Sequence, residues 1–160
     1  MAVELKDTYV VHGAVTTCTK GMRESRLVLG ESHGVYLKNA AQVSVKDIKP
    51  GENIICFGGC YSLENPATMA AAMKIVKNVK AQTGADFEGR IAETFLQEGG
   101  EQTDAVRCVG ECMPEIVSVK WDREKEDVSV EQGKNAVMGE ATLTCKYGGI
   151  IKIETSGQPK

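Results

Sequence analysis

The chain has 160 residues, 42% hydrophobic and 26% charged, with a net charge of −3. This is ordinary for one folded domain with a core of its own, and too short for two comfortable ones. There is no basic excess to hold nucleic acid, no polybasic tract for an anionic membrane, and no apolar run long enough to span a bilayer.

Aromatic residues make up only 5%, so the core must be built mainly from Val, Ile, Leu and Ala, and 17 glycines point to many tight turns. The N-terminus carries Glu4, Lys6 and Asp7 and lacks the apolar stretch of a signal peptide. The chain is therefore expected to be made and folded in the cytoplasm, any export going through a machine.

Tyr9 to Val15 is β-rich and broken by Gly13; Thr16-Thr17-Cys18 can continue as strand up to Gly21. Ser25 to Leu29 and Val35-Tyr36-Leu37 are further short strands around the Gly30-to-Gly34 turn. Asn39 to Val45 alternates weakly, and Pro50-Gly51 turns the chain into a short buried strand, Ile54-Ile55-Cys56-Phe57. Turns recurring at this rhythm indicate an all-β region. The pattern then changes. Asn65 can cap free backbone N–H groups, Pro66 sits where its missing N–H is harmless, and Ala67 to Lys80 has helical spacing at Met69, Met73, Val76 and Val79. This predicts a helix over about 66–80, ended by Gly84. Residues 84–106 read as an insertion, irregular or with a second short helix carrying Ile91, Phe95 and Leu96. β character returns at Glu115 to Trp121. Asp122 to Asp127 reads as a solvated turn. Short strands follow at Val128 to Val130, Ala136 to Met138, Thr142 to Thr144 and Ile150 to Ile153. The segments Gly13 to Gly21 and Gly139 to Gly148 echo each other, each leading a β segment into Cys-x-x-Gly; they read either as related β elements lying side by side or as chance likeness.

Six cysteines, Cys18, Cys56, Cys60, Cys108, Cys112 and Cys145, are many for a cytoplasmic chain of this size. Without a secretion signal they read as metal ligands or buried free thiols rather than a disulfide framework. Cys56/Cys60 and Cys108/Cys112 are Cys-x-x-x-Cys pairs, a spacing that structural zinc permits but does not require. His12, in an apolar strand, reads as a core or edge residue, and His33 sits in a Gly-flanked turn. The carboxylates of Glu88 to Asp104 and Asp122 to Glu131 read as solvated faces. No phosphate-binding glycine loop is present, and nothing marks one cysteine as an activated nucleophile, so the expectation is that the protein is not an enzyme.

Several blocks taken together resemble the PAAR-like family. They are Tyr9-Val10-Val11-His12-Gly13-Ala14 with Cys18, then Ser32-His33-Gly34-Val35-Tyr36, then Phe57-Gly58-Gly59-Cys60 with Asn65-Pro66. They continue with Cys112-Met113-Pro114, Trp121, Gly133-Lys134 and Leu143-Thr144-Cys145-Lys146-Tyr147-Gly148-Gly149-Ile150-Ile151-Lys152-Ile153. The resemblance runs from about Tyr9 to Gln158, and only Gly84 to Val106 has no counterpart. It implies a mainly β fold over residues 1–160: a cone-like arrangement of short hairpins with one helix, forming a single domain. It further implies the tip of the central spike in a contractile injection machine, such as a type VI secretion system, phage tail, tailocin or extracellular injection particle. Such a tip docks on a trimeric β-helical spike protein, one copy per particle, assembles at the end of an extracellular or injected particle, and meets the target membrane transiently. Relatives hold a metal near the apex with histidines and a cysteine. With two histidines and no Pro-Ala-Ala-Arg run, this chain would have to use thiolates, and the cysteines in the matching blocks are Cys18, Cys60, Cys112 and Cys145. These four are the expected ligands of zinc, or alternatively iron, with Cys56 and Cys108 left as buried thiols. Two other readings stand beside the tip: an adaptor attaching effector cargo to the spike through residues 84–106, and a cysteine-dependent enzyme using a thiol beside His12 or His33.

Overall fold

The computed structural model describes residues 4–86, 89 and 110–158. Within them the fold is mainly β, as expected, with eight short strands, one α-helix and a 3-10 turn at Leu5–Asp7. The largest sheet has four antiparallel strands. β1 (Val15–Cys18) pairs with β2 (Ser25–Arg26) on one side and with β8 (Ile150–Ile153) on the other; β8 also pairs with β7 (Thr142–Thr144).

The last strand is therefore an interior one. Cys18 and Leu143 face Ile151 from opposite sides, and Thr17 and Thr142 face Lys152. The two echoing segments thus flank one shared strand and run parallel to each other. Alternation along β8 buries Ile151 and Ile153 and exposes Lys152, as a strand with one face on a core requires.

Two separate hairpins complete the β structure. β3 (Tyr36–Leu37) and β4 (Ala40–Ala41) are joined by Lys38 and Asn39, both at positive φ (50° and 68°), the backbone of a type I′ turn. β5 (Glu124–Glu131) and β6 (Lys134–Val137) form an irregular ribbon turning at Gly133, φ 74°. β5 occupies most of the charged stretch read as a solvated turn. Glu126, Asp127 and Glu131 stay exposed while the backbone pairs with β6, so pairing overrides the low β propensity of Glu and Asp.

Elsewhere pairing is reduced to single bridges. Tyr9 to Val11 does not form a strand of its own. Tyr9 bridges Met138, Val11 bridges Gln42, and Val10 exchanges backbone bonds with Val137 and Val43. Leu27 and Pro50 both bridge Ile54, and the strand expected over Ile54 to Phe57 is reduced to these bridges at its first residue. Glu115 to Trp121 is likewise extended rather than laddered: Ile116 bridges Cys145 and Val117 N–H donates to the Thr144 carbonyl.

These fragments close over a core of Val10, Leu27, Val43, Phe57, Trp121, Leu143 and Ile151, all essentially without solvent exposure. Trp121 places its indole N–H on the Asp47 carbonyl at 3.2 Å and its backbone N–H on the Val45 carbonyl at 2.9 Å. The helix α1 runs Pro66–Thr83, three residues longer than its sequence suggested. It starts as expected, with Asn65 Oδ1 accepting from Ala67 N–H at 3.0 Å and Pro66 in the first turn, and ends at Gly84 (φ 79°). Of the insertion expected over 84–106, only Gly84 to Asp86 and Gly89 belong to the described residues. The short helix with Ile91, Phe95 and Leu96 lies outside them.

The two histidines differ in outcome: His33 lies in the loop before β3, in keeping with its Gly-flanked position, and His12 is not in the strand expected for it. His12 is exposed in a turn, not inside a strand, and its Nδ1 accepts from Leu29 N–H at 2.9 Å. His33 sets Nε2 against Asp47 (2.8 Å) and Nδ1 against Glu131 (2.9 Å), joining the loop before β3 to the β5–β6 ribbon. Asp47 also accepts from the buried Ser44 N–H at 2.7 Å, whereas Glu131 is nearly half exposed. The two carboxylates should therefore differ in weight. Asp47→Ala strands a buried backbone donor and is expected to cost about 1–3 kcal/mol in denaturant unfolding. Glu131→Gln removes only a screened surface pair and is expected to cost under about 1 kcal/mol.

Candidate metal centre

Four separate segments carry their cysteines to one place. Cys18 closes β1, and its carbonyl accepts from Gly21 N–H at 2.9 Å. Cys145 follows β7, and its carbonyl accepts from Gly148 N–H at 3.0 Å, with Gly148 at φ 86°. The two Cys-x-x-Gly segments thus share the Cys carbonyl to Gly N–H bond on either side of β8, but only Gly148 is left-handed, while Gly21 bridges Cys60. Left-handed backbone at Gly148 lets the β7–β8 hairpin close, with Cys145 N–H on the Gly149 carbonyl at 2.9 Å.

Cys60 is locked by two bridges, to Gly21 and to Gly110. The start of α1 fixes the remaining pieces. Thr68 Oγ donates to the Cys60 carbonyl at 2.7 Å, and the fully buried Asn65 donates from Nδ2 to the Glu111 carbonyl at 3.0 Å, one residue before Cys112. One asparagine therefore caps the helix with its oxygen and holds the Cys112 segment with its nitrogen. Cys112 Sγ accepts a hydrogen bond from Phe57 N–H at 3.2 Å.

Cys18, Cys60, Cys112 and Cys145 all line a single small apolar pocket, together with Phe57, Asn65, Pro114 and Ile151. The close approach is possible because two positions lack side chains. A methyl at Gly149 would lie 2.5 Å from Cys18 Sγ, and one at Gly21 would lie 2.6 Å from Phe57 Cβ. The four cysteines singled out in the sequence are thus brought together. Cys108 lies outside the described residues. Cys56 is not the buried thiol it was expected to be: it is exposed and absent from the pocket lining.

The pocket disfavours free thiolates. Burial pushes the Cys18 thiol up, against backbone hydrogen bonds from Lys20 and Gly21, and pushes Cys112 up to about 11, against the bond from Phe57. The neighbouring thiols add like-charge repulsion in both cases. Among the described residues, no three His, Cys, Asp or Glu side chains are already drawn together as a metal-holding group. The donor set nevertheless suits a thiophilic cation. Four thiols share an apolar pocket, and backbone N–H groups point at Cys18 and Cys112, where they would help carry thiolate charge.

A family model, Domain of unknown function (DUF4280), matches residues 10–158. The chain belongs to the DUF4280 family. No curated protein and no solved structure matches it. The matched span contains every element that builds the pocket, from β1 to β8. Exposure sets an expected order of reactivity within this domain. In the native, metal-free protein an alkylating reagent should modify Cys56 first and Cys60 and Cys145 (7% and 8% exposed) last, as read by peptide mass mapping. Equal rates at all five would show that the pocket is open in solution.

Proposed function

We propose that this DUF4280 chain is a PAAR-like tip of the central spike of a contractile injection machine, docking on a trimeric β-helical spike protein. The observation that carries the reading is the convergence of Cys18, Cys60, Cys112 and Cys145. These are the cysteines of the separate blocks that resemble PAAR-like proteins, and they come from four different segments to one pocket. A fold in which every strand but β5 has two to four residues, joined otherwise by single bridges, has few ladder bonds per element, and gathering its segments at a common cross-link compensates for that.

On this reading Cys18, Cys60, Cys112 and Cys145 hold zinc, and iron would suit the same thiolates. The metal supplies a coordinate cross-link among the turns when bound. The chain's own residues do the rest: Asn65 and Thr68 fix the Cys112 and Cys60 segments, and Gly149 leaves room beside Cys18 Sγ. The raised Cys18 and Cys112 thiols count against a cysteine-dependent enzyme, whose nucleophile needs a lowered one. The adaptor reading depends on residues 84–106, most of which lie outside the described ones.

Two measurements test the proposal. Elemental analysis of the purified chain should find one zinc or iron per molecule. Serine at any of the four positions should abolish it and lower the melting temperature by roughly 6–12 °C, as a loss of about 3 kcal/mol does in a domain of this size. Gly149→Ala keeps every thiol yet presses a methyl on Cys18 Sγ, and it should also weaken metal binding. Absence of stoichiometric metal would remove the clamp. Independently, the tagged chain should co-purify with the trimeric spike protein encoded beside it at one copy per trimer, and failure to do so would remove the tip assignment.

A further inference from the structure

Cys56 is the one described cysteine that the pocket does not use. It is exposed and lines a surface hollow with Arg23, Glu24 and Arg26. Cys112 reaches toward the same point from the pocket side. Its Sγ accepts from Phe57 N–H at 3.2 Å, and that nitrogen is only two covalent bonds from Cys56 Cα. Adding the side-chain reach of Cys112 limits the two Cα atoms to about 8 Å apart, a range that takes in the window of roughly 4.4–6.8 Å in which a disulfide closes. Cys56 is exposed, so closing the bond requires turning its side chain toward Cys112 and not unpacking a buried one.

We propose that Cys56 and Cys112 are a disulfide-forming pair, so that Cys112 has two mutually exclusive bonds available: one to a metal shared with Cys18, Cys60 and Cys145, the other to Cys56. The pairing itself stands on geometry alone, while the competition with metal rests on the four-thiol reading above. The oxidant is a small disulfide such as oxidised glutathione. The exposed Cys56 loses its proton to solvent, and its thiolate attacks one glutathione sulfur, breaking the S–S bond, forming a mixed disulfide and releasing one glutathione thiolate, which solvent protonates. Cys112 then loses its proton to solvent and attacks Cys56 Sγ. The Cys56–Cys112 bond forms, the mixed disulfide breaks, and the second glutathione leaves. Two protein thiols are oxidised by two electrons while one oxidised glutathione is reduced to two thiols. The order follows from access, because Cys56 is on the surface and Cys112 is half-buried.

The test uses the full chain, metal-stripped and zinc-loaded, incubated with oxidised glutathione under native conditions. Free thiols are then alkylated, and intact mass and linked peptides are read. The metal-stripped chain is expected to lose two hydrogens, retain no glutathione and yield a single cross-link, Cys56 to Cys112. Cys56→Ser should lose the cross-link while still binding zinc, and Cys112→Ser should stop with one glutathione on Cys56. Zinc should slow closure by about tenfold or more, since a coordinated thiolate is withheld from exchange. A glutathione that stays on Cys56 of the unaltered chain, or a cross-link joining any other pair, Cys108 included, overturns the pair. Closure in the stripped chain that proceeds equally fast with zinc present overturns the competition and the metal reading while leaving the pair intact. Zinc binding without any closure leaves the metal reading intact and sinks the pair.

Discussion

The structure depends on the last strand being an inner one. β8 has β1 on one edge and β7 on the other, so the end of the chain is placed in the middle of the largest sheet. Thr17 Oγ meets Glu154 at 2.7 Å across 137 positions of sequence, and the Ile150 N–H meets Thr19 Oγ at 3.0 Å in the same way. Loop closure on that scale costs entropy before any contact repays it, although the cost grows only logarithmically with length. Three- and four-residue strands supply few hydrogen bonds to offset it. Burial of Ile151 and Ile153 against Leu143, Phe57 and Trp121 must provide most of the stabilisation, at roughly 25 cal/mol per Å² of apolar surface.

That arrangement decides where the cysteines go. Cys18 and Cys145 emerge at the same end of the sheet because β1 and β7 run parallel to each other, with β8 between them. Cys60 joins them through its bridges to Gly21 and Gly110, and Cys112 through Asn65 and Phe57. Desolvation then makes the Cys18 and Cys112 thiols reluctant to ionise, the more so for the neighbouring thiols. A cation reverses both terms at once, since it offsets the repulsion and replaces the lost solvent. The same chemistry makes such a pocket a poor site for a thiolate nucleophile and a good one for a structural metal.

Local chemistry was legible in the sequence, whereas long-range placement was not. The helix start could be read from Asn65-Pro66 because a cap and a first-turn proline act within three residues, and Gly84 marked its end for the same reason. The β3–β4 turn could not, because Lys38 and Asn39 adopt positive φ without the Asn-Gly pair that usually signals it. β5 was hidden by its charges: Glu and Asp suggest solvent, and on an exposed ribbon they can be in solvent and still be strand. The four clustered cysteines were separated from the others by likeness to a family, since spacing alone grouped Cys56 with Cys60. Cys56 misled because alternation in a strand would place it on the same face as Ile54. Only Ile54 is bridged there, and the next buried side chain is Phe57, an offset of three that turns Cys56 outward.

The two chemistries open to Cys112 fit different surroundings. In a reducing compartment small thiols keep Cys56 free, and a thiolate metal site is the cross-link that can form there, whereas a disulfide is not maintained. Outside it the balance shifts, since metal can be lost to competing ligands and small disulfides accumulate. A protein whose proposed role takes it from the first environment into the second would meet both conditions in order. Because Phe57 N–H already holds Cys112 Sγ beside Cys56, the chain could exchange one clamp for the other with its β1–β8–β7 sheet undisturbed. None of the sheet's backbone bonds involves Cys56 or Cys112, so the exchange is confined to the turns that the sheet carries.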